Sequence, residues 1–130
     1  MNILFCGDVV GKSGRQSLKT HLPTLQKKYP LDLIIVNGEN AAHGFGLNET
    51  ICQEFYGYGV DVITTGNHVW DQKDFVQTLE KDTNVLRPLN YPHTAPGKGY
   101  GIYQTKSGAK ILVVNVMGNL FMDPLNLAFP

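Results

Sequence analysis

The chain has 130 residues, 42% of them hydrophobic and 17% charged, with 11 Lys plus Arg against 11 Asp plus Glu. That composition belongs to a folded chain, and the length suits a single domain over 1–130, or part of a larger one. With no net charge there is no field to gather a polyanion, which disfavours an extended nucleic acid or an electrostatically held membrane as partner.

Residues 1–6 carry no basic lead, and their apolar run stops at Asp8, too short for a signal peptide. No later run approaches the length of a membrane span. Cys6 and Cys52 lack the spacing of a ligand pair and read as buried, reduced thiols, so a cytoplasmic protein is expected.

The short apolar run Ile3–Cys6 predicts a strand buried on both faces. Asp8 and Gly11 mark a turn, and Leu18, Leu22, Leu25 and Tyr29 follow at helical spacing, with Pro23 expected to kink that helix or shift its start. Residues 33–36 predict a second buried strand. After a loop rich in Gly and Asn, Leu47, Ile51 and Phe55 share one helical face, with Asn48 as cap and Gly57 and Gly59 as terminators. Residues 60–64 predict a third strand.

Asp71 is then placed to cap a helix that carries Phe75 and Leu79, with Trp70 and Phe75 forming a staple across its first turn. Residues 87–99, rich in Pro and Gly, predict a long ordered loop. Residues 101–103 and 111–116 predict two strands joined around Gly108. The strand–helix alternation of the first 80 residues specifies an α/β fold, a mostly parallel sheet with flanking helices.

Polar residues fall at the strand ends. The first strand runs into Gly7-Asp8, the second into Asn37-Gly38-Glu39-Asn40, the third into Gly66-Asn67-His68. Asp8 to Glu39 is 31 residues and Glu39 to Asn67 is 28, each near one strand–helix–strand unit of ~30 residues. Right-handed crossovers bring these ends to one edge, where open parallel sheets bind ligands. Asp8, Glu39, Asn40, Asn67 and His68 are therefore expected in one patch. Two carboxylates and two amides there need a counter-charge, and a divalent cation supplies it; oxygen donors suit hard or borderline ions, and imidazole adds affinity for Mn, Fe or Zn.

Taken singly, each residue has a plainer reading: Asp8 as a cap or turn residue, the asparagines as turn formers, His68 as a hydrogen-bonded structural histidine. Their coincidence at three successive strand ends favours a metal or phosphate site. The segment from Gly7 to Ser13 superficially suggests a nucleotide P-loop, but three residues separate its glycines where four are required. Lys12 then reads as a solvated lysine.

Together, Gly7-Asp8-Val9-Val10-Gly11, Asn37-Gly38-Glu39-Asn40-Ala41-Ala42, Gly44-Phe45-Gly46, Gly66-Asn67-His68 and Trp70-Asp71 resemble the YmdB-type bacterial metallophosphoesterases of the calcineurin-like superfamily. Arg87-Pro88, Asn90-Tyr91-Pro92 and residues 96–100 extend the likeness over essentially the whole chain. The resemblance is to the N-terminal half of that sandwich fold. It implies a phosphodiesterase acting on 2′,3′-cyclic nucleotides through a hydroxide activated by two metal ions, Fe or Mn. By similarity Asp8 would bind one metal, Glu39 bridge both, and Asn40 and Asn67 complete their shells, with His68 beside the scissile phosphate as the catalytic group.

Val10 stands where many members of the wider superfamily have a ligand histidine, and Glu39 where they usually have aspartate. The family's later half supplies three further histidine ligands, two of them as His-x-His. This chain has only His21, His43, His68 and His93, with no such pair. His21 falls in the first helix, His43 in a loop and His93 in the Pro-rich loop, so none substitutes. An incomplete domain is expected, its apolar tail at 120–122 and 125–130 stopping without a closing strand. The alternative is a catalytically inactive remnant or interaction module, either a homo-oligomer or the partner of a separately encoded C-terminal half. Arg87 and Lys98 read as solvated loop residues rather than phosphate ligands.

Overall fold

The computed structural model describes residues 1–122 and 125–126. Four parallel strands, β1 (Ile3–Cys6), β2 (Leu33–Asn37), β3 (Val62–Thr64) and β4 (Val85–Leu86), pair in the order β1-β2-β3-β4. Helices α1 (Gly11–Lys28), α2 (Glu49–Gly57) and α3 (Phe75–Lys81) connect them in turn. Because every crossover steps the same way, right-handed connections put all three helices on one face. That face holds the main core: Ile34, Val36, Ile63 and Val85 of the sheet meet Leu18 and Leu22 of α1, Ile51 and Phe55 of α2, and Phe75 and Leu79 of α3.

The antiparallel hairpin β5 (Tyr100–Gln104) and β6 (Lys110–Val114) covers part of the opposite face, its Val113, Tyr103 and Ile111 packing over Leu33, Ile35, Val62 and Leu86. Gly108, at φ 86°, makes its turn as expected. The α/β class with a parallel sheet is thus observed, as is the Asn48 cap, whose Oδ1 accepts from the Ile51 N–H at 2.9 Å.

Several local expectations are corrected. Strand β1 is buried on one face only: Leu4 and Cys6 turn to the helices, while Ile3 and Phe5 on the other face are 44% and 58% exposed. A run of apolar residues cannot reveal that an edge strand outreaches the layer above it. Pro23 does not set the start of α1, which begins at Gly11; it lies inside the helix on the exposed side, where water can satisfy the carbonyl its missing N–H leaves unpaired. Strand β4 was not foreseen, because two residues carry no periodicity. Cys52 is buried, but Cys6 is only half-buried; both are free thiols, and burial raises their pKa values. Among the described residues no helix is long and apolar enough to cross a membrane. Residues 127–130 of the apolar tail, and with them the expected lack of a closing strand, lie outside the described residues.

Arg87 differs most from expectation. It is 4% exposed, and its guanidinium donates to the carbonyls of Pro88 (2.8 Å), Pro96 (3.0 Å) and Ala95 (3.3 Å). It therefore pins the Pro-rich loop instead of meeting solvent or a phosphate, whereas Lys98 is exposed as expected. Asn90 does similar work, bridging to the backbone of Met117 through both ends of its amide (2.7 and 3.0 Å). Replacing Arg87 with Met removes the guanidinium donor from the Pro96 and Ala95 carbonyls, the Pro88 carbonyl keeping the Tyr91 N–H, and should cost roughly 2–3 kcal/mol, within the range for buried unsatisfied groups. Urea unfolding should show that loss, and hydrogen exchange should show faster opening of residues 88–99. An Arg87→Met chain with unchanged stability would return Arg87 to the role of a solvated loop residue.

Candidate metal centre

Register decides where the strand-end loops meet. Cys6 lies beside Val36, Val36 beside Ile63, and Asn37 beside Thr64, so the three chains leave the sheet almost in step. Backbone bonds then tie the loops together. The Val9 N–H donates to the Asn37 carbonyl (3.0 Å), the Gly11 N–H to the Asn40 carbonyl (2.9 Å), and the Gly38 N–H to the Thr64 carbonyl (2.9 Å). Asp8 sits in this lattice with φ 44°, a left-handed conformation that a non-glycine residue adopts at a cost of order 1–3 kcal/mol. His43, at φ 58°, shows the same feature in the loop after Asn40.

Side chains converge accordingly. The Asn40 amide donates to Asp8 Oδ1 at 2.6 Å. The Glu39 carboxylate lies against the α-carbon of Gly66, and a Cβ built there would overlap it, so position 66 must be glycine for the acid to occupy this place. Glu39 feels the charges of both Asp8 and His68. Asn67 follows Gly66 and opens a single 3₁₀ turn, Asn67–Trp70. Its side chain makes no hydrogen bond among the described residues. Asp8, Glu39, Asn40, Asn67 and His68 thus gather at one rim of the sheet, as their spacing anticipates. His43 and His93 are exposed loop residues, and His21 is exposed on α1.

The sequence reading misplaced one residue of this group. Asp71 does not cap a helix: Asp74 precedes α3, with no side-chain cap bond. The Asp71 carboxylate instead lies 2.6 Å from His68 Nδ1, and the Phe45 ring meets the imidazole edge-on at 5.7 Å. Trp70 packs against Tyr91, ring centroids 5.3 Å apart, and also against the main core that contains Phe75. The i,i+3 spacing of His68 and Asp71 was a usable signal, since one turn sets such residues on the same side.

The electrostatics are unfinished. Among the described residues the ion pairs are the amino terminus with Asp32, Arg15 with Glu54, and His68 with Asp71. Neither Asp8 nor Glu39 has a cationic side chain in a salt bridge. Burial raises the Glu39 carboxyl above its ordinary pKa, and the charge of Asp8 raises it further, against the opposing influence of His68 and Asn37. This donor set suits a hard or borderline cation. Yet no cluster of three or more His, Cys, Asp or Glu side chains that could hold a metal ion occurs among the described residues. A concavity of about 660 Å³ between the Pro-rich loop and β5 includes none of the rim residues.

The result is a parallel α/β layer with acidic and amide oxygens at its carboxyl edge and a carboxylate-held histidine beside them. Comparison with known proteins gives its family. Residues 4–130 match the model of the YmdB-like protein family, and the chain belongs to that family. It is 44% identical over 129 residues to a 2′,3′-cyclic-nucleotide 2′-phosphodiesterase of Bacillus subtilis, covering 99% of this chain and 48% of the relative. A putative phosphatase/phosphodiesterase of Mycoplasma genitalium is 38% identical over all of this chain and 47% of its own length. A solved hypothetical protein of Thermus thermophilus superposes with a TM-score of 0.88 at 44% identity, over 97% of this chain and 48% of that one. A solved novel phosphatase of Mycoplasma pneumoniae gives 0.82 at 38% identity, over 90% and 43%. The chain spans about half the length of the relatives it matches.

The raised Glu39 pKa has a definite consequence for stability. A carboxyl whose native pKa exceeds its unfolded value binds its proton more tightly when folded. Stability therefore falls as pH rises from the ordinary glutamate range through the raised value, and stays lower above it. Without metal, Glu39→Gln should melt higher than the parent at neutral pH, with the advantage vanishing below the ordinary glutamate range. Added Mn²⁺ should raise the melting temperature of the parent and not of the variant. Equal melting curves for both, with and without Mn²⁺, would show that Glu39 experiences no such crowding.

Proposed function

We propose that this chain carries the acidic half of a two-metal phosphodiesterase site whose substrates are small phosphodiesters, 2′,3′-cyclic nucleotides foremost. The supporting observation is the unneutralised pair of carboxylates at one rim: Asp8 bonded to Asn40, and Glu39 seated on Gly66 beside them. The name of the Bacillus subtilis relative supports the substrate class. Asp8, Glu39, Asn40 and Asn67 would hold the ions, Fe or Mn by the oxygen-rich donor set, with Glu39 shared between them. When bound, such ions neutralise phosphate charge and make water a competent nucleophile near neutral pH.

The chain's own residues do the remaining work. Asp71 accepts from His68 Nδ1–H, which fixes the imidazole tautomer and orientation and leaves Nε2 as the nitrogen for substrate. His68 then holds a phosphate oxygen or delivers a proton to the departing alkoxide. The Phe45 ring stands nearly perpendicular to the imidazole, ring centroids 5.7 Å apart. Asp71 acts only through His68 and is a positioning residue. Free thiols at Cys6 and Cys52 suit a reducing, cytoplasmic setting.

A second reading rests on the incomplete donor set among the described residues: the 130-residue chain alone is a non-catalytic binding module, turning over only with imidazole donors from elsewhere. The two readings separate in one assay. The chain alone should bind Mn²⁺ weakly and hydrolyse 2′,3′-cyclic AMP barely above background. Supplemented with the other half of the Bacillus subtilis relative, it should become active and lose that activity on chelation. In the supplemented system His68→Ala should lower kcat roughly 10²–10⁴-fold, the usual contribution of a general acid or base. Activity that survives both chelation and Glu39→Ala would overturn the proposal, and a supplemented system with no activity would leave the module reading.

A further inference from the structure

The loop between β2 and α2 sets an aromatic ring beside the candidate imidazole. Ala41, Ala42 and Leu47 of this loop are 0–3% exposed, while Phe45 between them is 60% exposed. The backbone beneath that ring is tied from both sides. The Phe45 N–H donates to the Ala42 carbonyl (2.9 Å), the Gly46 N–H to the Glu39 carbonyl (2.7 Å) and the Ala42 N–H to the Gly46 carbonyl (2.9 Å). From the far side, Gln72 Nε2 donates to the Phe45 carbonyl at 2.8 Å. Gly46, at φ 81°, would bring a Cβ within 2.7 Å of the His68 carbonyl, so glycine there lets the loop close on the turn that carries His68. The backbone of Phe45 is thus fixed relative to both Glu39 and His68. Its ring meets the imidazole nearly at right angles, centroids 5.7 Å apart, and the rest of it faces water.

We propose that Phe45 is the stacking platform for the nucleobase of a nucleotide whose phosphate lies at the rim. The inference rests on the functional reading above and deepens it by naming what recognises the substrate apart from its phosphate. Ala41, Ala42 and Leu47 already anchor the loop in the main core, so the exposed ring is not needed to hold it. A ring kept in water by a fixed backbone offers a π-face to any flat partner, and bases stack on such rings whatever their identity. Reach is satisfied as well: a phosphate at His68 has its base one ribose away, and Phe45 is the ring beside that imidazole. Both backbone groups of Phe45 are already bonded, so the position offers a flat face and reads no base edge. The selectivity that follows is for nucleotides over base-free phosphoesters, with little discrimination among bases.

Saturation-transfer NMR on the whole chain, with Mg²⁺ and adenosine 3′-phosphate, reads this contact without requiring turnover. The parent should transfer magnetisation to the adenine ring protons. Phe45→Ala should weaken that transfer about fivefold or more, the loss expected of a base–aromatic stack, and Phe45→Trp should retain it. Methyl riboside 3-phosphate, which lacks the base, should respond alike to parent and Phe45→Ala. The side chain is exposed, so Phe45→Ala should keep the parent's melting temperature. With the other half of the Bacillus subtilis relative added, Phe45→Ala should raise KM for 2′,3′-cyclic AMP about tenfold and leave kcat and its pH profile unchanged. Adenine signals absent from the parent, signals indifferent to Phe45→Ala, or an equal loss for the base-free phosphate would each overturn the inference. A fall in kcat at constant KM would also overturn it, making Phe45 a support for His68. Adenine transfer that depends on Phe45, in a system that hydrolyses no cyclic nucleotide, would uphold the platform and remove the phosphodiesterase reading. Hydrolysis whose KM ignores the substitution would do the reverse.

Discussion

Cys6, Val36 and Ile63 stand side by side in three parallel strands, and that register governs where each chain turns away from the sheet. Two or three residues later the chains deliver Asp8, Glu39 and Gly66 to the same rim. A slip of one residue in any pairing would reverse every side chain of that strand, exposing Ile34 or Val36 and withdrawing the acid from its place. The main core therefore holds the site as well as the fold: packing of α1, α2 and α3 on one face prevents the slip, and the rim inherits its geometry.

The same rim stores energy that the rest of the structure must sustain. Asp8 is held in a left-handed conformation, neither Asp8 nor Glu39 has a salt-bridge partner among the described residues, and position 66 carries no side chain, which leaves room for Glu39. Strain and like-charge crowding persist only when surrounding structure over-determines them. The pairing of His68 with Asp71 belongs to the same economy. An imidazole held at Nδ1 by a carboxylate cannot rotate freely, so its orientation is set by Asp71.

Opposite that rim-building core lies a hairpin apolar on both faces and a strand whose outer side chains face water. Phe5 and Ile102 are more than half exposed there, in a chain that spans about half the length of the relatives it matches.

Much of the rim was legible in the order of residues. Apolar runs of four or five, ended by Gly-Asp, Asn-Gly-Glu-Asn and Gly-Asn-His at intervals of one crossover unit, suffice to place Asp8, Glu39, Asn40, Asn67 and His68 together. Right-handed crossover is a property of L-amino-acid chains and needs no tertiary information. The Asn48 cap and the Gly108 turn were legible for the same reason, being decided within a few residues of themselves.

Three other matters were settled only by tertiary structure. Arg87 is a buried clamp because Pro88, Ala95 and Pro96 turn their carbonyls toward it. β4 exists because β3 offers it an edge, and Ile3 and Phe5 are exposed because the hairpin stops short of β1. Local order determines which backbone shapes and donor types are available; what each side chain finally touches depends on residues distant in sequence, and no short-range pattern encodes that.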